Sequence, residues 1–421
     1  MPELTRLGCT RTATHWFLRS PLGACVDIYI RCLQNQGYTR GTLKVYVECV
    51  AHFAHWLSQR RANMWSVDET LINRFLDRHL PRCHCAKRCQ RVRHTVRAAL
   101  MRLLHVLRAE GYMDPERSSD PANIVTELRA FDVYLKDVRG LTPITRYQCA
   151  LRVHSFLLEH FKSSPIAIGQ LGRRDIVRFL ARYTLHWSPQ SKPAAHGALR
   201  SYFRFKALQG EPTDDLITAF PKVANWRLAR IPQVARESEV KKLLSGFDRR
   251  CAVGQRNYAI ARCLVDLGLR AEEVARLTLD DFDWRGGIVK IRGKGQRNDL
   301  MPLPVQTGRA ITEYLRDGRP STNPHRMLFA RHRAPLSVPI TAGMVRRIIR
   351  DLAARRGLAT LVHGPHLLRH TAAQRLLRSG ATLKGVADFL RHRSLDTSTL
   401  YMKIDLRNLK RVALPWPGRR P

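Results

Sequence analysis

The stretch GGIVKIRGKGQRNDLMPLP, residues 286–304, is where this 421-residue chain departs from its own pattern. Apolar and polar residues alternate there around a Gly-Lys-Gly turn, the period-two signature of a β-hairpin. Most of the other ordered-looking segments repeat apolar residues at i, i+3, i+4 and i+7, as a helix with one buried face requires. GTLKVYVECVAHFAHWLSQRR (41–61) and RVRHTVRAALMRLLHVLRAEG (91–111) are two of them. The fold class that follows is mostly α with one small β-sheet.

A chain of this length buries a sizeable core and makes two or three domains. Two stretches read as linkers, YMDPERSSDPAN (112–123) and FPKVANWRLARIPQVARESEV (220–240). They delimit blocks at 1–112, 124–225 and 235–421. In the second block, IVTELRAFDVYLKDVRG reads as a helix closed by Gly140 at C′, and Thr142 and Pro143 as N-cap and first residue of the next helix. Residues 26–57 and 128–161 share a frame of helix, glycine, Thr-rich turn and helix. That is either a weak internal duplication or the ordinary likeness of two helical hairpins. The third block is mixed: a helix over 256–269, a short helix in AEEVARLTLDDF, the hairpin, then helices after about 307.

Charge narrows the partner. Lys and Arg number 73 against 34 Asp and Glu, a net +39. Such an excess calls for an anionic partner, and nucleic acid is the usual one. The basic residues lie inside helical patterns over the whole length. A folded binder fits that spread better than a basic tail or one amphipathic membrane-surface segment. MPELTRLGCTRTATHW has no signal-type apolar run, and no window approaches 18 uninterrupted apolar residues. Ten scattered cysteines look like reduced thiols. A cytoplasmic protein with no membrane partner is expected. No Gly-rich phosphate loop and no acidic cluster at metal-ligand spacing is visible, so no cofactor is expected.

In the third block the polar residues fall into an order. Arg270 and Glu273 lie in GLRAEEV, Lys294 in GKGQRNDLMPL, His366, Arg369 and His370 in HLLRHTAA, His392 in FLRHRS, and Tyr401 in LYMK. His366 and Arg369 are i, i+3 neighbours and share a helix face. These motifs, in this order and with these gaps, resemble the tyrosine recombinases, also called the phage integrase family, and in particular its Xer-like and mobile-element members. The resemblance covers the third block, about 185 residues. The second block looks like the family's helical, SAM-like core-DNA-binding domain. The first block would add a further DNA-binding or protein-contact module.

The resemblance implies a bacterial, nucleoid-associated enzyme that cuts and rejoins DNA through a covalent 3′-phosphotyrosyl intermediate, without ATP or metal, as a homo- or hetero-tetramer on DNA. It also implies the roles. Tyr401 is the nucleophile. Arg270 and Arg369 hold the phosphate, a planar fork matching its oxygens. His366 is the general base, Lys294 the general acid, and His392 a hydrogen-bond donor to the phosphate. Glu273 reads as support, orienting Arg270 or a neighbouring His, or else as an exposed helix-start residue. His370 reads as a second support or a packed histidine. Two rival readings use the same residues: a type IB-like topoisomerase, and a DNA-binding regulator without catalysis.

Some features depart from the pattern or fall outside it. The residue before His392 is usually glycine; here it is Arg391, which would crowd the turn or touch DNA. Lys290 is a second hairpin lysine, but it lies in the strand. Tyr258 and Tyr314 sit at the wrong spacing and read as packing residues. RRIIRDLAARRG (346–357) carries an Arg face, either solvated or in contact with phosphates. HLPRCHCAKRC (79–89) gathers His79, Cys83, His84, Cys85 and Cys89. Its spacing lacks paired Cys-X2-Cys knuckles, so thiols in a basic loop are the first reading; a zinc site drawn from His79, Cys83, Cys85 and Cys89 is the alternative.

Overall fold

The computed structural model describes residues 2–60, 67–85, 90–112, 120–189, 191–221, 232–293, 298–321 and 325–391. Lys294, His392, Tyr401 and Cys89 lie outside the described residues. The chain forms two compact units. One comprises Met1–Val67, Ile72–Leu107 and Ile231–Pro421; the other comprises Asp68–Leu71 and Arg108–Arg230. The first and third sequence blocks therefore fold into one unit.

A direct contact ties those two blocks. The backbone N–H of Leu336 donates to the carbonyl of Gln36 at 3.0 Å. The Leu336 side chain also fills the space beside Gly37, where a Cβ would come within 2.7 Å of Leu336 Cδ1. Gly37 has φ +78° as well. Both the left-handed backbone and the close approach demand glycine there.

Gly37 also belongs to the repeated frame seen in the sequence. The helices Val26–Asn35 and Arg40–Gln59 are joined by Gly37, Tyr38 and the N-cap Thr39 at φ −66°, ψ 152°. In the other unit, Ala122–Asp137 and Pro143–His160 are joined through Gly140 at φ +57°, Leu141 and the N-cap Thr142 at φ −65°, ψ 151°. A left-handed glycine stops one helix, and an extended Thr starts the next. The Arg108–Arg230 unit closes over Phe131, Phe156, Phe179, Tyr202 and Phe203. Its buried cation Lys206 lies 3.3 Å from Glu127, which also accepts the Tyr202 hydroxyl at 2.8 Å. The charge is thus paired where it leaves water.

The hairpin gains a third strand. β1 (Phe282–Asp283), β2 (Ile288–Arg292) and β3 (Asn298–Pro302) form an antiparallel sheet in that order. Val289 faces Met301 across β2 and β3, and both are buried, as is Ile291. Lys290 points to the exposed side. The sheet's inner face joins a core with Ile260, Leu264, Val274, Tyr314, Val345, Ile349 and Leu368, drawn from the surrounding helices. Among the described residues, no helix is long and apolar enough to cross a membrane.

Tyr314 carries a polar group into this core. It is fully buried, and its hydroxyl oxygen accepts the Ala330 backbone N–H at 3.1 Å. Tyr314→Phe would strand that buried N–H, at a cost of about 1–3 kcal/mol. Equilibrium urea unfolding should show a lower midpoint; an unchanged midpoint would mean that Ala330 finds another acceptor.

Candidate active site

The site starts at a turn. The helix Ala252–Asp266 ends just before Gly268, which has φ +56°. A Cβ there would lie 3.0 Å from Phe389 and 3.2 Å from Leu390, so glycine lets the later helix end approach. Leu269 is buried and anchors the turn. Arg270 then caps the six-residue helix Ala271–Arg276. Its backbone N–H donates to Glu273 Oε2 at 2.7 Å, the carboxylate half of a capping box. Its guanidinium donates to Glu273 Oε1, also at 2.7 Å.

Glu273 is not the exposed helix-start residue that one reading allowed: its side chain is 4% exposed. Two more guanidiniums reach it. Arg369 lies on the helix Pro365–Arg378, whose Leu367, Leu368 and Ala372 are buried in the core. Its side chain is 2% exposed and lies 4.0 Å from Glu273 Oε2. Arg369 also donates to the carbonyls of Gly268 and Leu390. The third cation is Arg391. It has φ +54°, the left-handed backbone for which glycine is the unstrained choice. Its side chain neither crowds the turn nor faces outward. It donates to Glu273 Oε2 at 2.8 Å and to the Phe389 carbonyl at 2.9 Å.

One carboxylate therefore faces three guanidiniums. Burial alone would raise the Glu273 carboxyl pKa. Arg391, the Arg270 backbone N–H, and the Arg270 and Arg369 guanidiniums outweigh that and hold it below the ordinary carboxylate value. Glu273 stays ionised, and the cluster keeps an excess of positive charge. Arg270 is its open member, with 39% of its side chain exposed.

His366 and His370 lie one turn apart on Pro365–Arg378, with ring centroids 5.1 Å apart. Burial on the protein side, then Arg369, Arg270 and Arg346, lower the His366 pKa below its ordinary value. Burial, then His366 and Arg369, lower His370 to about 4. Both imidazoles are neutral at physiological pH, so His366 has a lone pair to offer. Arg346 comes from the helix Ala342–Arg355, whose Arg346, Arg347 and Arg350 are all exposed.

The structure thus brings Arg270, Glu273, His366, Arg369 and His370 together, and adds Arg391, whose partner sequence spacing did not reveal. The available signal was a basic residue, Arg391, in a position where the family usually has glycine. Tyr314 is excluded as a competing nucleophile, since burial raises its pKa and its oxygen is already engaged. Tyr258 packs under Arg249, whose guanidinium lies 4.7 Å from the ring centre. Lys290 is paired in the sheet opposite Leu300.

Removing the shared carboxylate should be costly. Glu273→Gln leaves buried guanidiniums without a counter-charge and should destabilise the protein by about 3–5 kcal/mol. Arg391→Gly should cost less, because the left-handed backbone relaxes and Glu273 keeps two cations. Urea unfolding of both variants checks the order; equal midpoints for Glu273→Gln and wild type would refute it.

Residues 233–407 match the family model described as the phage integrase family. The "Putative integrase/recombinase y4rA" of Sinorhizobium fredii (strain NBRC 101917 / NGR234) is 33% identical over 400 residues, 94% of this chain and 95% of the relative. Tyrosine recombinase XerC of Lacticaseibacillus casei (strain BL23) is 27% identical over 312 residues, 72% of this chain and 94% of the relative. Among solved structures, the XerH site-specific recombinase bound to palindromic difH substrate, a post-cleavage complex, matches with a TM-score of 0.56 and 19% identity, over 70% of this chain and 97% of that one. That likeness concerns the fold. The similarity to y4rA runs nearly end to end, and on that ground the chain belongs to the phage integrase family, the tyrosine recombinases.

Proposed function

We propose that the protein is a DNA strand-transferase that cuts and rejoins duplex DNA at specific sites through a phosphotyrosyl intermediate on Tyr401, in the service of a mobile element. The observation that carries this reading is the cluster of three guanidiniums on one buried carboxylate, with Arg270 open to solvent. A positive excess held in place by the fold complements a phosphodiester, and complements it better as charge grows on phosphorus in the transition state.

Each group then has a task. Arg270 grips the non-bridging oxygens, and Arg369 and Arg391 supply fixed positive charge behind it. Tyr401 Oη attacks phosphorus and the bond to the 5′-oxygen breaks. The phenol, with a free pKa of about 10, gives its proton to His366. Lys294 protonates the leaving 5′-oxygen, and His392 donates a hydrogen bond to the phosphate. The phosphotyrosyl bond conserves the energy of the broken one, so attack by a 5′-hydroxyl reseals the strand without ATP. Attack by the 5′-end of a second duplex gives recombination, for which four protomers would assemble on two duplexes. Arg346, Arg347 and Arg350 add phosphate contacts beside the site.

A nicked suicide duplex tests the reading, because the leaving fragment diffuses away and traps the adduct. The wild type should form a covalent protein–DNA species, and Tyr401→Phe should bind the duplex but form none. An adduct that survives in Tyr401→Phe would overturn the nucleophile assignment. No adduct on any duplex from the source locus would favour a non-catalytic regulator. An adduct without strand exchange between two duplexes would favour a topoisomerase.

The His366 assignment predicts a pH profile. A base with a lowered pKa stays deprotonated below the ordinary value of 6.5. Single-turnover cleavage should therefore hold steady as pH falls through 6.5 and decline only at lower pH. His366→Asn should slow cleavage by about 10²–10⁴-fold and abolish that acidic limb. An acidic limb that persists in His366→Asn assigns the base to another group.

A further inference from the structure

The first sequence block carries a second chemical cluster, far along the chain from the residues assigned to cleavage. His52 lies on the helix Arg40–Gln59. His79 ends a π-helical turn, Phe75–His79, and Leu80–Arg82 continues as a 3₁₀ turn into Cys83 and Cys85. One donor atom from each of His52, His79, Cys83 and Cys85 lies within 4.8 Å of all the others. The measured separations are 3.3 Å between the two Nε2 atoms, 3.2 Å from Cys83 Sγ to His52 Nε2, and 3.7 Å from Cys85 Sγ to His79 Nε2. A tetrahedral zinc ion with ordinary bond lengths sets its nitrogen ligands about 3.3 Å apart and its nitrogen and sulfur ligands about 3.6 Å apart. We propose that His52, His79, Cys83 and Cys85 form a structural zinc site.

Hydrogen bonding alone satisfies His52 poorly without a cation. His52 Nδ1 lies 3.3 Å from the carbonyl of Gln90, which can only accept, so Nδ1 carries the proton. His52 Nε2 is then a single lone pair, yet His79 Nε2 and Cys83 Sγ both face it. A metal ion at the centre of the four atoms uses that lone pair and the other three at once. The His52–Gln90 contact is the outer-shell arrangement that fixes the tautomer of a metal-bound histidine. The backbone N–H of Cys85 donates to Cys83 Sγ at 3.4 Å and fixes the position of that sulfur.

The surroundings fit a closed site. His52 is fully buried and Cys83 is nearly so. The rings of Trp16, Trp56 and Phe75 pack around the two imidazoles. The π turn that ends at His79 inserts an extra residue into the helix, a distortion that recurs at functional sites. His84, between the two thiols, is exposed and stands outside the cluster. The ligand set therefore differs from the one read off HLPRCHCAKRC alone: His52 enters from a helix 27 residues earlier in the chain.

Metal analysis of the tag-free, full-length protein, prepared under reducing conditions, tests the proposal. Zinc should remain at one ion per chain after dialysis against a weak chelator. Cobalt(II) exchanged for zinc should give intense visible bands of a tetrahedral site and a thiolate-to-cobalt charge-transfer band. His52→Asn and Cys83→Ser should lose the metal and lower the melting temperature, while His84→Asn and Cys89→Ser should keep it. Substoichiometric zinc or an octahedral cobalt spectrum would overturn the site. So would a His52→Asn protein that keeps its metal, or a Cys89→Ser protein that loses it. The cobalt spectrum of the wild type decides the matter even if a ligand variant fails to fold. None of these readouts depends on DNA cleavage.

Discussion

Glu273 faces the guanidiniums of Arg270, Arg369 and Arg391, and the geometry of the whole cleft depends on that one negative charge. Like charges a few ångströms apart repel by several kcal/mol each at the effective dielectric of a protein surface. Two of the three cations are almost wholly buried, so water cannot screen them. The carboxylate makes their convergence tolerable but does not cancel it. What results is a site that is still short of negative charge, as the proposed grip on a phosphate requires. The same carboxylate caps the backbone of Arg270, so neutralisation and orientation are achieved by one side chain.

Convergence also requires three separate chain segments to meet. Arg270 follows the helix Ala252–Asp266, Arg369 sits on Pro365–Arg378, and Arg391 follows Leu383–Phe389. Gly268 is where they touch: its carbonyl accepts from Arg369, and its missing side chain leaves room for Phe389 and Leu390. Leu390 in turn offers its carbonyl to Arg369. The apolar core beneath, from Ile260 and Leu264 to Leu368, holds these ends in register. A change at Gly268 would thus reach the guanidinium cluster without touching a charged residue.

Much of this was legible from the residues. The hairpin stood out because its period is two in a helical chain, and it pairs as Val289 with Met301. The helices over 41–61 and 91–111 appear as Arg40–Gln59 and Arg93–Ala109. Arg270, His366 and Arg369 can be singled out because motif order survives in a linear reading, and the fold brings them together. What escaped depends on tertiary geometry. β1 is two residues long, too short to alternate visibly. Arg391 was read by its place in a turn, whereas its role comes from a carboxylate 118 positions away. The union of the first and third blocks rests on contacts such as Leu336 with Gln36, which no local pattern announces. His52 was invisible as a partner of Cys83 for the same reason: 31 residues separate them.

The two clusters also solve one electrostatic problem in different ways. The chain carries a net charge of +39, and the proposed hold on a duplex draws on that positive charge. A cation site built from carboxylates would bring negative charge into that surface. Two thiolates and two neutral imidazoles around a divalent ion sum to zero, so the proposed staple would join His52 to the segment carrying His79, Cys83 and Cys85 without weakening the field. Near Glu273 the opposite arrangement holds: three guanidiniums meet one carboxylate, and a positive excess is left uncompensated within the fold. The proposed neutral cross-link in one part of the unit and the incomplete neutralisation in the other both leave the chain's positive charge intact, as the proposed grip on DNA requires.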